Sequence, residues 1–422
     1  MRVQEQLPTI AIEAVAMNWD QVFAARTAQM KRSTVREILK LTARPEVISF
    51  AGGLPAPELF PVERIAEATE TVLAERGREA LQYSTTEGMR ELREWIAARM
   101  SAGSLTVTSD NILIVSGSQQ AIDLVARVLL DDGDRVLVEN PTYVGMLQSW
   151  KPYGLDYTAI PTDADGMQVE HLEPLLQRES FKLMYSIPSF QNPQGTTLSL
   201  ERRQALAGVL ARHHLPFYED DPYGALRYSG DPLPTLLQCE AEARGSTTLD
   251  GSVMYAGTFS KTLTPGLRVG WVAAAEPVID KLVQAKQATD LHTSTLNQMI
   301  CYELVRDGVF LDQHVARLRE VYRDRRNLML KMLDEHFPPG ITWTHPDGGL
   351  FLMVTLPAGM DANDVLREAV KRDVAFVPGD GFYTDGTGYN TFRLNYSNAR
   401  EPMIEEGVKR LGMVLKEALA VR

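Results

Sequence analysis

The sequence predicts an α/β fold: a large domain on a mostly parallel, seven-stranded sheet, followed by a smaller α+β domain. Three observations carry this reading. From residue 112 to residue 275 short apolar runs rich in β-formers alternate with longer amphipathic ones, the pattern of strands whose two faces are covered by crossover helices. From 277 to 337 the periodicity is helical, with charged runs such as Arg323-Asp324-Arg325-Arg326 that read as solvated helix faces. After Pro338-Pro339-Gly340 the elements become shorter and mixed.

In chain order, strands are expected at Ile112–Val115, Arg135–Glu139, Leu155–Ile160, Leu183–Ile187, Phe217–Glu219, Val253–Ala256 and Arg268–Val272. Helices are expected between them at Gln119–Leu130, Tyr143–Trp150 and Leu200–His213. In the smaller domain the strands fall near Leu350–Thr355, Val374–Val377 and Thr391–Asn395, and a helix closes the chain over Pro402–Ala420. The domain division that follows is 1–60 as an N-terminal extension, 61–305 as the large domain and 306–422 as the small one. Ligands on such sheets sit beyond the carboxyl ends of the strands, and the polar motifs of this chain fall there.

The 422 residues are 44% hydrophobic and 23% charged, an ordinary globular composition. A net charge of −12, from 43 basic and 55 acidic residues, argues against nucleic-acid or anionic-membrane partners and leaves room for a local basic pocket. The two cysteines, Cys239 and Cys301, have neither metal-ligand spacing nor the look of a disulfide framework, which fits a cytoplasmic protein. No apolar run reaches the ~18 residues of a membrane span. The apolar stretch Ile10–Ala16 is interrupted by Glu13 and has no basic segment before it, so it does not read as a signal peptide. Met17 serves equally well as the natural start.

The most informative run is Gly257-Thr258-Phe259-Ser260-Lys261-Thr262-Leu263-Thr264-Pro265-Gly266-Leu267-Arg268-Val269-Gly270. A lysine among small hydroxyl residues, with an arginine downstream, suits an imine to an aldehyde cofactor whose phosphate is held beside it. Alone, the run could be a solvated polar loop. Gly117-Ser118-Gln119 follows a strand and opens a helix; such a turn suits a phosphate, although plain capping by Ser118 reads the same way. Asn140-Pro141-Thr142-Tyr143 ends the next strand, where Tyr143 either stacks on a flat ring or packs into the core. Asn192-Pro193-Gln194-Gly195 makes a rigid turn that positions the Asn192 amide for a ring oxygen and a carboxylate. In Glu219-Asp220-Asp221-Pro222-Tyr223, Asp220 is assigned to a pyridine nitrogen, which it would keep protonated, and Tyr223 to the ring's phenolic oxygen. No histidine or cysteine stands at ligand spacing there, which discounts a metal.

In this order the motifs resemble the fold-type I, class I/II pyridoxal-phosphate aminotransferases, from about residue 17 to the C-terminus. Ser49-Phe50-Ala51-Gly52-Gly53-Leu54-Pro55-Ala56-Pro57 and Leu81-Gln82-Tyr83-Ser84 most resemble the 2-aminoadipate branch, which includes the kynurenine/aminoadipate enzymes. The resemblance implies pyridoxal 5′-phosphate on Lys261, with Ser118, Gln119, Thr258, Ser260 and Arg268 around its phosphate and Tyr143 on its ring. It implies a homodimer in which Tyr83 reaches the neighbouring subunit's phosphate. Arg393, helped by Asn192 and the Gly53 backbone, would pair with the substrate α-carboxylate; an ordinary strand arginine is the alternative. Arg36 matches the position where this branch meets a distal carboxylate, on an N-terminal helix over the active site, and equally reads as one more solvated charge. Two departures stand out. Relatives often carry serine at Thr258, and 231–250 is longer than in near relatives, which reads as a surface loop.

The expected activity is transfer of an amino group between an L-amino acid, 2-aminoadipate or a broad aromatic/aliphatic set, and 2-oxoglutarate. A general aromatic or branched-chain aminotransferase is the near alternative. A pyridoxal-phosphate lyase and an aminotransferase-like regulatory domain are the distant ones. For the last, the roughly fifty residues before Ala51 and the acidic charge leave little room for a DNA-binding segment.

Overall fold

A computed structural model describes residues 17–30 and 46–420. Its large sheet has the strand order Ile112–Val115, Gly270–Ala273, Val253–Thr258, Phe217–Asp220, Leu183–Ser186, Arg135–Asn140, Asp156–Asp163, Gly166–Met167. Seven of these are the expected strands. The eighth, Gly166–Met167, is a two-residue antiparallel partner of Asp156–Asp163 at the sheet edge. Gly270–Ala273 runs antiparallel to both its neighbours, and the pairings from Val253–Thr258 across to Asp156–Asp163 are parallel. Four strands, Ile112–Val115, Leu183–Ser186, Phe217–Asp220 and Val253–Thr258, are buried at every position, as a sheet covered on both faces requires.

The helical stretch after the sheet divides into Glu276–Gln287, Thr295–Val305 and Phe310–His336. Two helices not anticipated from the sequence, Val62–Ala80 and Arg90–Met100, precede the sheet. The small unit has a four-stranded antiparallel sheet, ordered Thr342–Trp343, Phe351–Thr355, Thr391–Asn395, Val377–Pro378. The expected strand Val374–Val377 is split: Val374–Ala375 leaves that sheet to pair in parallel with Ile48–Ser49. The helix Glu401–Ala420 closes the described chain.

Two local expectations are corrected. Arg268 is not in a strand. It takes φ 53° after the 3-10 turn Pro265–Leu267, and the strand begins at Gly270. The segment 231–250 is not simply a surface loop, because it contains the helix Leu236–Arg244, with Leu236, Leu237, Cys239 and Ala241 buried. A capping box between Thr235 and Gln238 starts this helix. The Glu219 carboxyl, raised to about 7 by burial, accepts from the N–H groups of Leu236 and Leu237 at 2.9 and 3.0 Å, at the positive end of the helix.

Arg203, 1% exposed on the helix Leu200–His213, ties this layer to the loops that lead to the cavity described below. Its guanidinium donates to the carbonyls of Leu198, Pro188 and Pro234 and to Ser189 Oγ, all at 2.8–2.9 Å. Replacing Arg203 with Met leaves these buried acceptors unpaired, and about 3 kcal/mol of unfolding free energy should be lost. Urea denaturation reads this directly, and an unmoved midpoint would show that the arginine is not a structural tie.

Candidate active site

The functional side chains sit where strands of the large sheet end. After Ile112–Val115 the chain turns at Gly117, with φ 85°, into the helix Ser118–Leu129. That positive φ favours glycine, and a Cβ at Gly117 would lie 2.3 Å from Arg268 Nη2 and displace the guanidinium. Arg268 donates to the Ser116 carbonyl at 3.0 Å, and Thr258 Oγ1 lies 2.9 Å from Ser260 Oγ. Ser118 Oγ is buried with no partner among the described residues. Hydroxyls, a guanidinium and a helix N-terminus together form a cradle for a phosphate dianion.

Beneath that turn lies a network around the buried Lys286 that the sequence did not reveal. Gln120 Oε1 accepts from Ser116 N and from Lys286 Nζ, both at 2.8 Å. Lys286 is fully buried and also meets Asp290 Oδ1 at 2.7 Å. Asp290 Oδ2 in turn accepts from Ser116 Oγ and Gln120 Nε2. A charge buried this far needs such partners.

Asp220 ends the strand Phe217–Asp220 and is 2% exposed. Its Oδ2 accepts from the Tyr185 hydroxyl at 2.7 Å, while Oδ1 is buried without a partner among the described residues. Burial pushes the carboxyl up to about 7, against the opposing pull of the Tyr185 hydrogen bond. Tyr223, also buried, is hydrogen-bonded to Asn192, and burial raises its phenol. Tyr143 caps the helix Val144–Trp150. A side chain at Gly145 would strike its ring, with a Cβ 2.4 Å from Tyr143 Cζ.

Two cations complete the site. Lys261 Nζ donates to the Gly53 carbonyl at 2.8 Å. Burial, followed by the charges of Arg268 and Arg393, lowers its amine to about 8. Arg393, 3% exposed on the strand Thr391–Asn395, donates to Asn192 Oδ1 and to the Ala51 carbonyl, each at 2.7 Å. Its guanidinium lies 4.1 Å from the Phe351 ring centroid and 5.3 Å from that of Phe382. No carboxylate pairs with it among the described residues, its Nε is buried unpaired, and burial lowers it to about 10.

One cavity of about 350 Å³ collects Gly53, Ser118, Gln119, Tyr143, Asn192, Asp220, Tyr223, Thr258, Ser260, Lys261, Arg268 and Arg393. Of the described residues singled out in the sequence, only Tyr83 does not line it. Tyr83 is 80% exposed, edge-on to His292 and outside its own chain's cavity; Arg36 lies outside the described residues. The cavity walls also include Ile122, Ile187, Gln148 and Pro222, which carry no chemical signature in a sequence. The unpaired polar atoms fit pyridoxal phosphate. An amine can meet its aldehyde, the free Asp220 oxygen its ring nitrogen, and the Ser118 hydroxyl with Arg268 its phosphate.

The family described as aminotransferase class I and II matches residues 45–411. The chain is 43% identical to an aromatic-amino-acid aminotransferase of Thermococcus litoralis, over 97% of both chains. It is 43% identical to a 2-aminoadipate transaminase of Thermus thermophilus, over 96% of this chain and 99% of that one. Among solved structures, alpha-aminoadipate aminotransferase from Thermus thermophilus, in complex with N-(5′-phosphopyridoxyl)-L-leucine, superposes with a TM-score of 0.89 at 41% identity, covering 96% of this chain and 100% of that one. A pyridoxal-phosphate cavity on a fold-type I scaffold, matched over nearly its whole length, makes this chain a member of the class I and II aminotransferases, in the branch that holds the 2-aminoadipate and aromatic enzymes.

Proposed function

We propose that the chain exchanges an amino group between an L-amino acid and 2-oxoglutarate in a ping-pong cycle, with 2-aminoadipate or aromatic and aliphatic amino acids as donors. The observation that carries this is the shared anchor of the two cations. Lys261 and Arg393 are held by the carbonyls of Gly53 and Ala51, two residues apart and so within about 7 Å along the backbone. An α-amino acid carries its carboxylate and the proton to be removed on one carbon, at a spacing such a pair can address together.

When bound, pyridoxal phosphate supplies an aldehyde carbon for the amino group and a ring that accepts the electron pair of the Cα–H bond. Lys261 Nζ, with its lowered basicity, would be the base that takes the proton from the substrate Cα and, as its conjugate acid, gives it back. Asp220 Oδ1 holds the ring nitrogen protonated, and Tyr223 and Asn192 hold the ring oxygen. Ser118, Gln119, Thr258, Ser260 and Arg268 hold the phosphate, and Tyr143 stacks on the ring. Arg393 takes the α-carboxylate in a two-pronged pair, with Asn192 and the Gly53 backbone beside it. Arg36 meets the distal carboxylate of an acidic substrate. Tyr83 is supplied to the partner's phosphate in a homodimer, a role its exposure supports.

The same reading assigns residues 61–305 to the cofactor domain, 306–422 to the small domain and 1–60 to an arm over the site. A cytoplasmic setting is supported by Cys239 and Cys301, both buried and unlinked. For the donor, the support is in the names of the relatives, one acting on aromatic amino acids and one on 2-aminoadipate.

Arg393→Lys keeps the charge and loses the planar fork. It should lower kcat/KM for every donor about 100-fold, close to 3 kcal/mol, while the visible cofactor band is retained. An unchanged kcat/KM sinks the carboxylate assignment. In parallel, the rates at which 2-aminoadipate, phenylalanine, leucine, kynurenine and glutamate bleach that band rank the donors; the proposal requires at least one to do so and 2-oxoglutarate to restore it.

Asp220 supplies a pH test. Its pKa of about 7 in the fold stands above the ordinary 3.8, so the folded state binds the proton more tightly than the unfolded chain. The cofactor-free protein therefore loses stability as pH rises from about 4 to about 7, and the loss is complete above that window. Asp220→Asn should stabilise the cofactor-free protein at pH 8 by about 2–4 kcal/mol, less at pH 5, and abolish turnover. Equal melting curves for the two proteins at pH 8 would contradict the buried-charge reading.

A further inference from the structure

Asp220 has one oxygen engaged and one free, and the engaged one is held by a residue outside the proposed contacts with cofactor or substrate. The Tyr185 hydroxyl donates to Asp220 Oδ2 at 2.7 Å, with both residues fully buried. Tyr185 belongs to the strand Leu183–Ser186, paired in register with Tyr218 on the neighbouring strand. Its ring stacks on Tyr218 at 5.6 Å and 14°, and meets Trp150 edge-on at 5.7 Å and 78°. Trp150 Nε1 is itself fixed to the Ile122 carbonyl at 2.9 Å, within the helix that begins at Ser118. Packed on both sides, the ring holds its hydroxyl against Asp220 Oδ2.

The other groups facing Asp220 do not replace this bond. Asp221 is a carboxyl whose charge opposes ionisation of Asp220. The phenols of Tyr218, Tyr223 and Tyr255 are raised by burial, and Tyr255 donates to Asp221, not Asp220. Without a donor on Oδ2, a carboxylate buried here would hold its own proton and could not keep a ring nitrogen protonated. We propose that Tyr185 is a positioning residue that favours the ionised form of Asp220 and leaves Oδ1 as its one free oxygen, available to the cofactor's ring nitrogen. This rests on the cofactor role proposed above for Asp220.

The test uses the whole chain, first without cofactor. The Asp220 carboxyl is followed by carbon-13 NMR of aspartate-labelled protein, with Asp220→Asn to assign the signal. Tyr185→Phe should move its midpoint up by about one unit or more. Fluorotyrosine placed at 185, a stronger donor of nearly the same size, should move it down. Upon loading, the dissociation constant of pyridoxal phosphate at pH 8 should rise several-fold in Tyr185→Phe, and kcat should fall with little change in KM. A midpoint that stays put with both replacements overturns the inference and leaves Tyr185 as packing alone. The loaded wild-type protein serves as the separate control. If no amino acid bleaches its visible band, the proposed function fails whatever Tyr185 does; if bleaching occurs and the Asp220 midpoint is unmoved, only the inference about Tyr185 fails.

Discussion

Two carbonyl oxygens, those of Ala51 and Gly53, hold the guanidinium of Arg393 and the amine of Lys261. The site depends on where that short segment lies. It is pinned on the small-unit side, since Ile48–Ser49 pairs with Val374–Ala375. Asn395 N donates to the Phe50 carbonyl at 2.9 Å, and Ser397 Oγ to the Leu54 carbonyl at 2.9 Å. Lys261, by contrast, comes from the loop after the large-sheet strand Val253–Thr258. The carbonyl pair therefore joins the two sheets at the point where a substrate would sit. Gly53 is part of this fit, because a Cβ there would come within 3.2 Å of Phe351, the ring beneath Arg393.

A second constraint follows from burial. Arg393, Asp220 and Ser118 each keep a buried polar atom without a partner among the described residues. In a protein core such atoms are destabilising; around a cavity they are binding capacity held in reserve, and a bound group that supplies the missing partners recovers the lost free energy. The rigid surroundings make this possible. The phosphate turn rests on Lys286, Gln120 and Asp290, Asp220 on Tyr185, and Arg393 on Phe351 and Asn192.

The chemistry of the site was legible because its residues stand at strand ends in short polar motifs that break apolar runs. Lys261, Asp220 and Asn192 were found that way, and Arg393, inside the strand Thr391–Asn395, only through the family resemblance; all four line one cavity. Their supports were not. Tyr185 reads as one more β-former in an apolar strand, and Lys286 as one of several charges on a helix face. Only the tertiary fold brings Tyr185 to Asp220 and Lys286 to Gln120. The parallel strands were legible for the same reason, since burial on both faces leaves continuous apolar runs. The helix Leu236–Arg244 was hidden by its short length and mixed composition, although the Thr235–Gln238 capping box and the apolar pair Leu236-Leu237 marked its start. Arg268 was placed in a strand because its neighbours Leu267 and Val269 are apolar, whereas its φ of 53° turns the chain toward the phosphate cradle.

The central claim is that Lys261 and Arg393 act on one α-carbon, Lys261 on its proton and Arg393 on its carboxylate. The most direct test compares two compounds on the loaded, unaltered protein: L-phenylalanine and phenethylamine, which differ only in the α-carboxylate. The account predicts that phenylalanine bleaches the visible cofactor band at least about 100-fold faster, since a buried arginine fork left unpaired forfeits on the order of 3 kcal/mol or more. Equal rates would mean that the carboxylate is not read at Arg393, and the account of the site would be wrong.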